Sequence, residues 1–193
     1  IGPGDLVAVT KPTYLGALQA FSPYEPRYVS IAMDDEGPVL AELEAALAQR
    51  PKFLYLVPDF QNPNGTTVSL ARREAIVDLC TAAGIPIIED AAYAELRYDG
   101  ETLPSLAAID AARNGGRPGQ VIHCGSFSKT MVPALRVGWV AAARDVVNRL
   151  VLMKQAADLH TSTINQIVMH DVVTQIFDSH VKRLRVAYKE RRD

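Results

Sequence analysis

Short apolar runs alternate with longer stretches of helical period along most of the chain. Leu6–Thr10, Tyr28–Ile31, Phe53–Val57, Ile85–Glu89, Val121–Cys124 and Gly138–Ala142 are brief, rich in β-branched or aromatic residues, and predict strands. Between them, Tyr14–Phe21, Val39–Gln49, Leu70–Ala83 and Leu103–Asp110 predict helices. In Val39–Gln49, Leu40, Leu43 and Leu47 share a face, and Pro51 prevents continuation. Ser69 is placed to cap the next helix, Ile76, Leu79 and Cys80 to face a core, and Gly84 to end it. Asp34–Pro38 and Asn114–Gly119 read as loops. Beyond residue 143 the pattern is helical: Arg144–Asp158, a helix from Ser162 or Thr163 with Ile164, Ile167, Val168, Val172 and Ile176 inward, and a separate last helix from near Ser179. A βαβα alternation implies an α/β fold, a mostly parallel sheet with helices on its faces.

In such a sheet the loops after the strands lie on one edge, where ligands bind. Tyr14, Asn62, Asp90, Tyr93 and Lys129 all occupy such positions. The topology therefore gathers aromatic, amide, carboxylate and amine chemistry on one side.

Composition narrows the function classes. The 193 residues are 48% hydrophobic and 22% charged, ordinary for a globular chain able to bury a core. A net charge of −2 without a long basic run gives no electrostatic pointer to nucleic acid or to a membrane surface. No apolar stretch is long enough to span a bilayer, and no signal peptide is evident, although the first residue is Ile1 rather than Met. The basic end, Lys182–Arg192, reads as a solvated helix face. Cys80 and Cys124 sit in apolar settings and read as buried free thiols, consistent with a cytoplasmic protein. His123, His160, His170 and His180 lack metal-ligand spacing, so no metal is expected.

The densest chemistry is VIHCGSFSKTMVPALRVG, residues 121–138. An apolar strand breaks at Gly125 into a turn containing Ser126, Ser128, Lys129 and Thr130, and Arg136 follows seven residues after the lysine. An amine in this setting suits a Schiff base, and hydroxyls with a guanidinium suit a phosphate dianion. Pyridoxal 5'-phosphate (PLP) carries both an aldehyde and a phosphate. The same residues also fit an ordinary surface turn with a solvated lysine.

Four motifs in order resemble the fold type I PLP-dependent aminotransferases, class I/II. NPNG at Asn62–Gly65 is similar to that family's Asn-Pro-x-Gly, and EDAAY at Glu89–Tyr93 to its Asp-x-x-Tyr. GSFSK at Gly125–Lys129, with Arg136, is similar to its lysine and phosphate site, and PTYLG at Pro12–Gly16 to the segment supplying a ring-stacking aromatic. YLVPDFQNPNG and KQAADLHTSTINQ resemble the branch of 2-aminoadipate and kynurenine aminotransferases.

The resemblance implies a three-layer α/β/α large domain over residues 1–193, with 144–193 helical, and PLP as cofactor. It implies that Lys129 forms the Schiff base and shuttles the proton, that Asp90 pairs with the pyridine nitrogen, and that Asn62 and Tyr93 bond the phenolate oxygen. Tyr14 would stack on the ring, and Ser126, Ser128 and Arg136 would hold the phosphate. It further implies amino-acid and 2-oxo-acid substrates, a homodimer with Leu159–Gln166 as a candidate interface, and a cis Asn62–Pro63 bond.

Two residues depart from the branch, Ala91 where an acid is more usual and Lys11 before Pro12. The chain is also about half a typical member. The family's upstream glycine/serine turn, a partner-subunit tyrosine from that region and the C-terminal small domain with its carboxylate-binding arginine are not in it, so weak PLP binding and poor transamination are expected of these residues alone. Two rivals share the motifs: the PLP-sensing domain of a GntR/MocR-type transcriptional regulator, which would bind nucleic acid through a fused winged helix, and another PLP enzyme, a lyase or decarboxylase.

Overall fold

The computed structural model describes residues 1–193. The strands are β1 (Leu6–Lys11), β2 (Arg27–Asp34), β3 (Gly37–Pro38), β4 (Leu54–Leu56), β5 (Ile87–Asp90), β6 (Val121–Ser126) and β7 (Gly138–Ala141). The helices are α1 (Leu15–Phe21), α2 (Leu40–Ala48), α3 (Leu70–Ala83), α4 (Leu106–Arg113), α5 (Arg144–Ala157) and α6 (Thr163–Arg192). Seven strands follow the order β3-β2-β1-β4-β5-β6-β7. β1 pairs parallel with β2 and β4, and β4 with β5, while β3 turns back antiparallel on β2. The fold is α/β with a mostly parallel sheet, as the alternation predicts.

The chain divides into two units, Ile1–Asp90 with Leu103–His123, and Ala91–Thr102 with Cys124–Asp193. In the first, one sheet face contributes Ala8, Ile31, Leu54, Leu56 and Ile87 to a core completed by Leu43 and Leu47 of α2, Ile76, Val77 and Cys80 of α3, and Leu106 and Ile109 of α4. Each leucine, isoleucine or valine among these contributes about 1.5–3 kcal/mol when fully buried. Burial pushes the Cys80 thiol up to about 12. Ser69 caps α3 by accepting from Arg72 N at 3.4 Å, and Gly84 ends it with φ 67°.

Two buried charges hold this unit's loops. Arg73, fully buried, donates to Asp59 Oδ1 at 2.7 Å and to the carbonyls of Pro58, Val68 and Pro104 at 3.1, 2.9 and 3.0 Å. Glu89, also fully buried, accepts from Leu106 N at 2.8 Å and Ala107 N at 3.0 Å, and lies 2.8 Å from His123 Nδ1. A carboxylate from β5 thus neutralises the first turn of α4, where the orphan amides and the helix dipole favour negative charge.

Several expectations need correction. Asp34–Pro38 is not wholly loop, because Gly37 and Pro38 pair with Asp34 and Met33. The fourth helix starts at Leu106, later than expected, with Ser105 accepting from Ala108 N at 3.0 Å. β6 does not break at Gly125 but runs through Ser126. A Cβ on Gly125 would collide with the Trp139 indole, so the glycine marks close approach rather than a strand end. Cys124 is half-buried, not buried.

In the second unit, the two helices expected after Ser162 are one helix of 30 residues. Ser179, read as a helix start, donates its hydroxyl to the Ile176 carbonyl at 3.0 Å, a bond made inside a continuous helix. The expected inward set is displaced by about one position. Ile164 and Ile167 are 73% and 57% exposed, whereas Met169 and Val181 are buried. The basic end is exposed yet tethered, not merely solvated. Arg185 Nε donates to the Glu95 carbonyl at 2.7 Å, and Lys189 and Arg192 reach Asp99 at 2.6 and 2.7 Å. Arg192 also lies over the Tyr98 ring at 5.1 Å. No helix is long and apolar enough to cross a membrane.

Two predictions follow from these charges. Arg73→Ala removes a fully buried guanidinium together with its bonds to Asp59 and to three loop carbonyls, and should lower stability by about 3–5 kcal/mol in urea denaturation. The hydrogen bonds from Lys189 and Arg192 lower the Asp99 carboxyl below its ordinary value of 3.8, and the bond to Asp99 raises Lys189 above 10.5. The tether's contribution is therefore full between those values. It is lost as pH falls through the lowered carboxyl value below 3.8, and Lys189's share of it is lost as pH rises through the raised amine value above 10.5, while Arg192 keeps its charge and its bond to Asp99. Amide protection across Arg185–Arg192, measured relative to the intrinsic exchange rate, should fall at both extremes, and should lose its acid limb in Asp99→Asn.

Candidate functional site

The strand order places a topological switch point in the first unit. From β1 the chain moves to β2 on one side, and β4 lies on the other. Such a divergence opens a crevice at the carboxyl ends of the strands. The segments flanking it, Pro12–Tyr14 after β1 and Pro58–Gly65 after β4, carry two of the candidate residues.

Tyr14 is the residue before α1 and is 38% exposed, its ring lying over Gly16, where a Cβ would meet it at 2.6 Å. Asn62 is half-buried, and its bond to Pro63 is cis, as the resemblance implies; Lys11–Pro12 is cis as well. The two segments are joined by Gln61, which is 1% exposed. Gln61 Nε2 donates to the Pro12 carbonyl at 3.1 Å, and Gln61 Oε1 accepts from Asn64 N at 3.1 Å. Thr10 Oγ1 donates to the same carbonyl at 2.7 Å.

Asp90 is the last residue of β5 and half-buried. Tyr55 of β4 donates its hydroxyl to Asp90 Oδ2 at 2.6 Å. The parallel register sets Tyr55 beside Ile88. Alternation then returns the Asp90 side chain to that same face two residues on, while Glu89 points to the opposite face and to α4.

The other five candidates belong to the second unit. Tyr93, half-buried, precedes a single 3-10 turn over Ala94–Leu96. Lys129 is exposed, and its Nζ lies 5.9 Å from the centre of the Tyr93 ring. Ser126 ends β6, and its Oγ accepts from Ser128 N at 3.1 Å, which fixes the turn and leaves the Ser126 hydroxyl hydrogen available to a ligand. Arg136 is exposed in the left-handed region, φ 54°, after the 3-10 turn Pro133–Leu135. Such conformations are sparse for residues with side chains and gather at functional sites. Its guanidinium bonds the Pro133 carbonyl at 3.4 Å rather than either serine. Asn165 of α6 donates to the Leu135 carbonyl at 3.0 Å, holding that turn from the side.

Within each unit the structure thus brings together Tyr93 with Lys129, Ser126 with Ser128, and the two segments bearing Tyr14 and Asn62. Sequence reasoning missed Tyr55, Gln61 and the Glu89–His123 pair. The signal for Tyr55 was a phenol inside an otherwise aliphatic strand, since a buried tyrosine needs a partner for its hydroxyl. Gln61 was a polar side chain in a turn cluster, with nothing to say that it turns inward.

The family model of aminotransferase class I and II matches residues 1–193. This chain belongs to the aminotransferase class I and II family. It is 41% identical over 189 residues to 2-aminoadipate transaminase of Thermus thermophilus, covering 97% of this chain and 47% of that protein. The crystal structure of the α-aminoadipate aminotransferase of Thermus thermophilus, complexed with N-(5'-phosphopyridoxyl)-L-leucine, superposes with a TM-score of 0.91 at 40% identity, over 98% of this chain and 48% of that one. An HTH-type transcriptional regulator of Bacillus subtilis, YisV, is 35% identical over 98% of this chain and 38% of its own length. The chain spans about half the length of the relatives it matches.

Gln61 offers a direct test of how the two segments are held. Gln61→Met keeps the volume but removes two hydrogen bonds, leaving the Pro12 carbonyl to Thr10 alone and Asn64 N without Gln61 Oε1, and should cost about 1–3 kcal/mol. Thermal unfolding measures the loss, and amide exchange should quicken at Asn64 while β1 and β4 stay protected.

Proposed function

We propose that the full-length protein is a PLP-dependent aminotransferase that moves an amino group from an amino acid to a 2-oxo acid, with Lys129 as the amine that binds the cofactor. The observation that carries this reading is the family match over the whole chain, with a lysine just past β6 whose ammonium lies over the Tyr93 ring. The donor set suits the cofactor. An amine meets an aldehyde, a carboxylate a protonated ring nitrogen, an amide and a phenol a phenolate oxygen, and hydroxyls with a guanidinium a phosphate. PLP, when bound, supplies the aldehyde that takes up the amino nitrogen and the ring that receives the electron pair.

The chain's own residues do the rest. Lys129 Nζ would be the base that takes the proton from the substrate's α carbon. Asp90 would hold a proton on the ring nitrogen. Asn62 and Tyr93 would donate to the phenolate oxygen, and Tyr14 would cover the ring face. Ser126 and Ser128 offer hydroxyls to the phosphate, and Arg136 adds charge-assisted bonds. We read residues 1–193 as part of one large domain, acting in a cytoplasmic homodimer. Leu159 and Ile164, 74% and 73% exposed, support Leu159–Gln166 as an interface segment.

The likeness to YisV favours a second reading, a PLP-sensing domain of a transcriptional regulator. The two part on turnover. The full-length protein mixed with PLP should develop an absorbance band near the visible edge that an amino-acid donor bleaches and a 2-oxo acid restores. Lys129→Ala should abolish the band. A band unaffected by Lys129→Ala would refute the role of Lys129, and a Lys129-dependent band without turnover would favour the regulator.

A further inference from the structure

Tyr55 is 4% exposed, and its two ends make different contacts. Its hydroxyl donates to Asp90 Oδ2 at 2.6 Å. Its ring meets Phe21 edge-to-face, with centroids 5.8 Å apart and planes at 78°, and Phe21 in turn meets Phe53 at 5.3 Å and 66°. Phe21 is the last residue of α1, the helix that Tyr14 introduces. One side chain on the central strand β4 is therefore bonded to one candidate residue and packed under the element that carries another.

We infer that Tyr55 is a positioning residue for Asp90, an inference that rests on the reading of the site given above. A carboxylate at a strand end is free to rotate about its Cβ–Cγ bond. A short bond from a buried phenol to Oδ2 fixes that rotation and would leave Oδ1 available to a ring nitrogen. A carboxylate so held keeps a proton on the ring nitrogen, which is what makes the ring a strong electron acceptor. The aromatic contacts hold the phenol in turn: β4 fixes its backbone, and Phe21, itself packed on Phe53, restricts its ring. The hydroxyl and the ring have separable duties, one chemical and one structural.

Tyr55→Phe removes the first duty and keeps the second. The test uses full-length protein loaded with PLP labelled with 15N at the ring nitrogen. In Tyr55→Phe, the Lys129-dependent band and the melting temperature should persist, while the ring-nitrogen resonance moves toward its unprotonated position. Turnover should fall about tenfold in kcat, with KM for the amino donor nearly unchanged, as expected when one charge-supporting hydrogen bond is lost. 3-Fluorotyrosine at position 55 keeps ring and hydroxyl but makes the hydroxyl a stronger donor. It should retain the band and displace the same resonance, and it serves if the phenylalanine variant does not fold. A resonance and kcat matching wild type in the variants that fold would overturn the role of Tyr55 and leave the reading of the site intact. A wild type without the Lys129-dependent band would overturn that reading, and this role with it.

Discussion

A guanidinium with no access to water sets the terms for the first unit. Arg73 rises from α3 into the loop after β4, where Pro58, Asp59 and Val68 receive its bonds, and it also holds Pro104 ahead of α4. A charge buried this deeply is tolerable only with every donor directed at an acceptor. The loop is therefore not free to choose its path. It must present two carbonyls and a carboxylate to one fork, and Asn62 comes out of that path three residues after Asp59. Gln61 then ties the same loop to Pro12, so the segments on both sides of the switch point are fixed by bonds that no ligand supplies.

Much of this was legible in the sequence. Short apolar runs mark β1, β4 and β5, Ser69 and Gly84 bound α3, and the motifs at Asn62, Asp90 and Lys129 stand in strand-end positions. The misreadings share a physical origin, since each concerned a residue whose meaning depends on a partner distant in sequence. Gly125 signals a break unless Trp139 lies against it. Ser179 signals a start unless its hydroxyl can bond back to Ile176. Arg73 reads as one more polar residue near the start of a helix until the loop closes around it. Apolar period alone also sets the face of α6 only to within about one residue, because isoleucine and valine occur on both sides of it.

The Glu89–Asp90 pair shows how far two neighbouring carboxylates can be separated in role by the pleat of a strand. Glu89 faces α4, where amides and His123 satisfy it inside the core. Asp90 faces Tyr55 at a half-buried edge. The sequence shows two adjacent acids and no difference between them. Alternation makes one a structural cap and leaves the other open to chemistry.

Helix α6 is a strut. Asn165 fastens it near one end to the turn that precedes Arg136, and Lys189 and Arg192 fasten it at the other to Asp99, in the loop that begins with Tyr93. At 1.5 Å per residue the two fastenings are separated by roughly 36 Å of unbroken helix. The turn that leads to Arg136 and the loop that follows Tyr93 are thus fastened to one and the same rod.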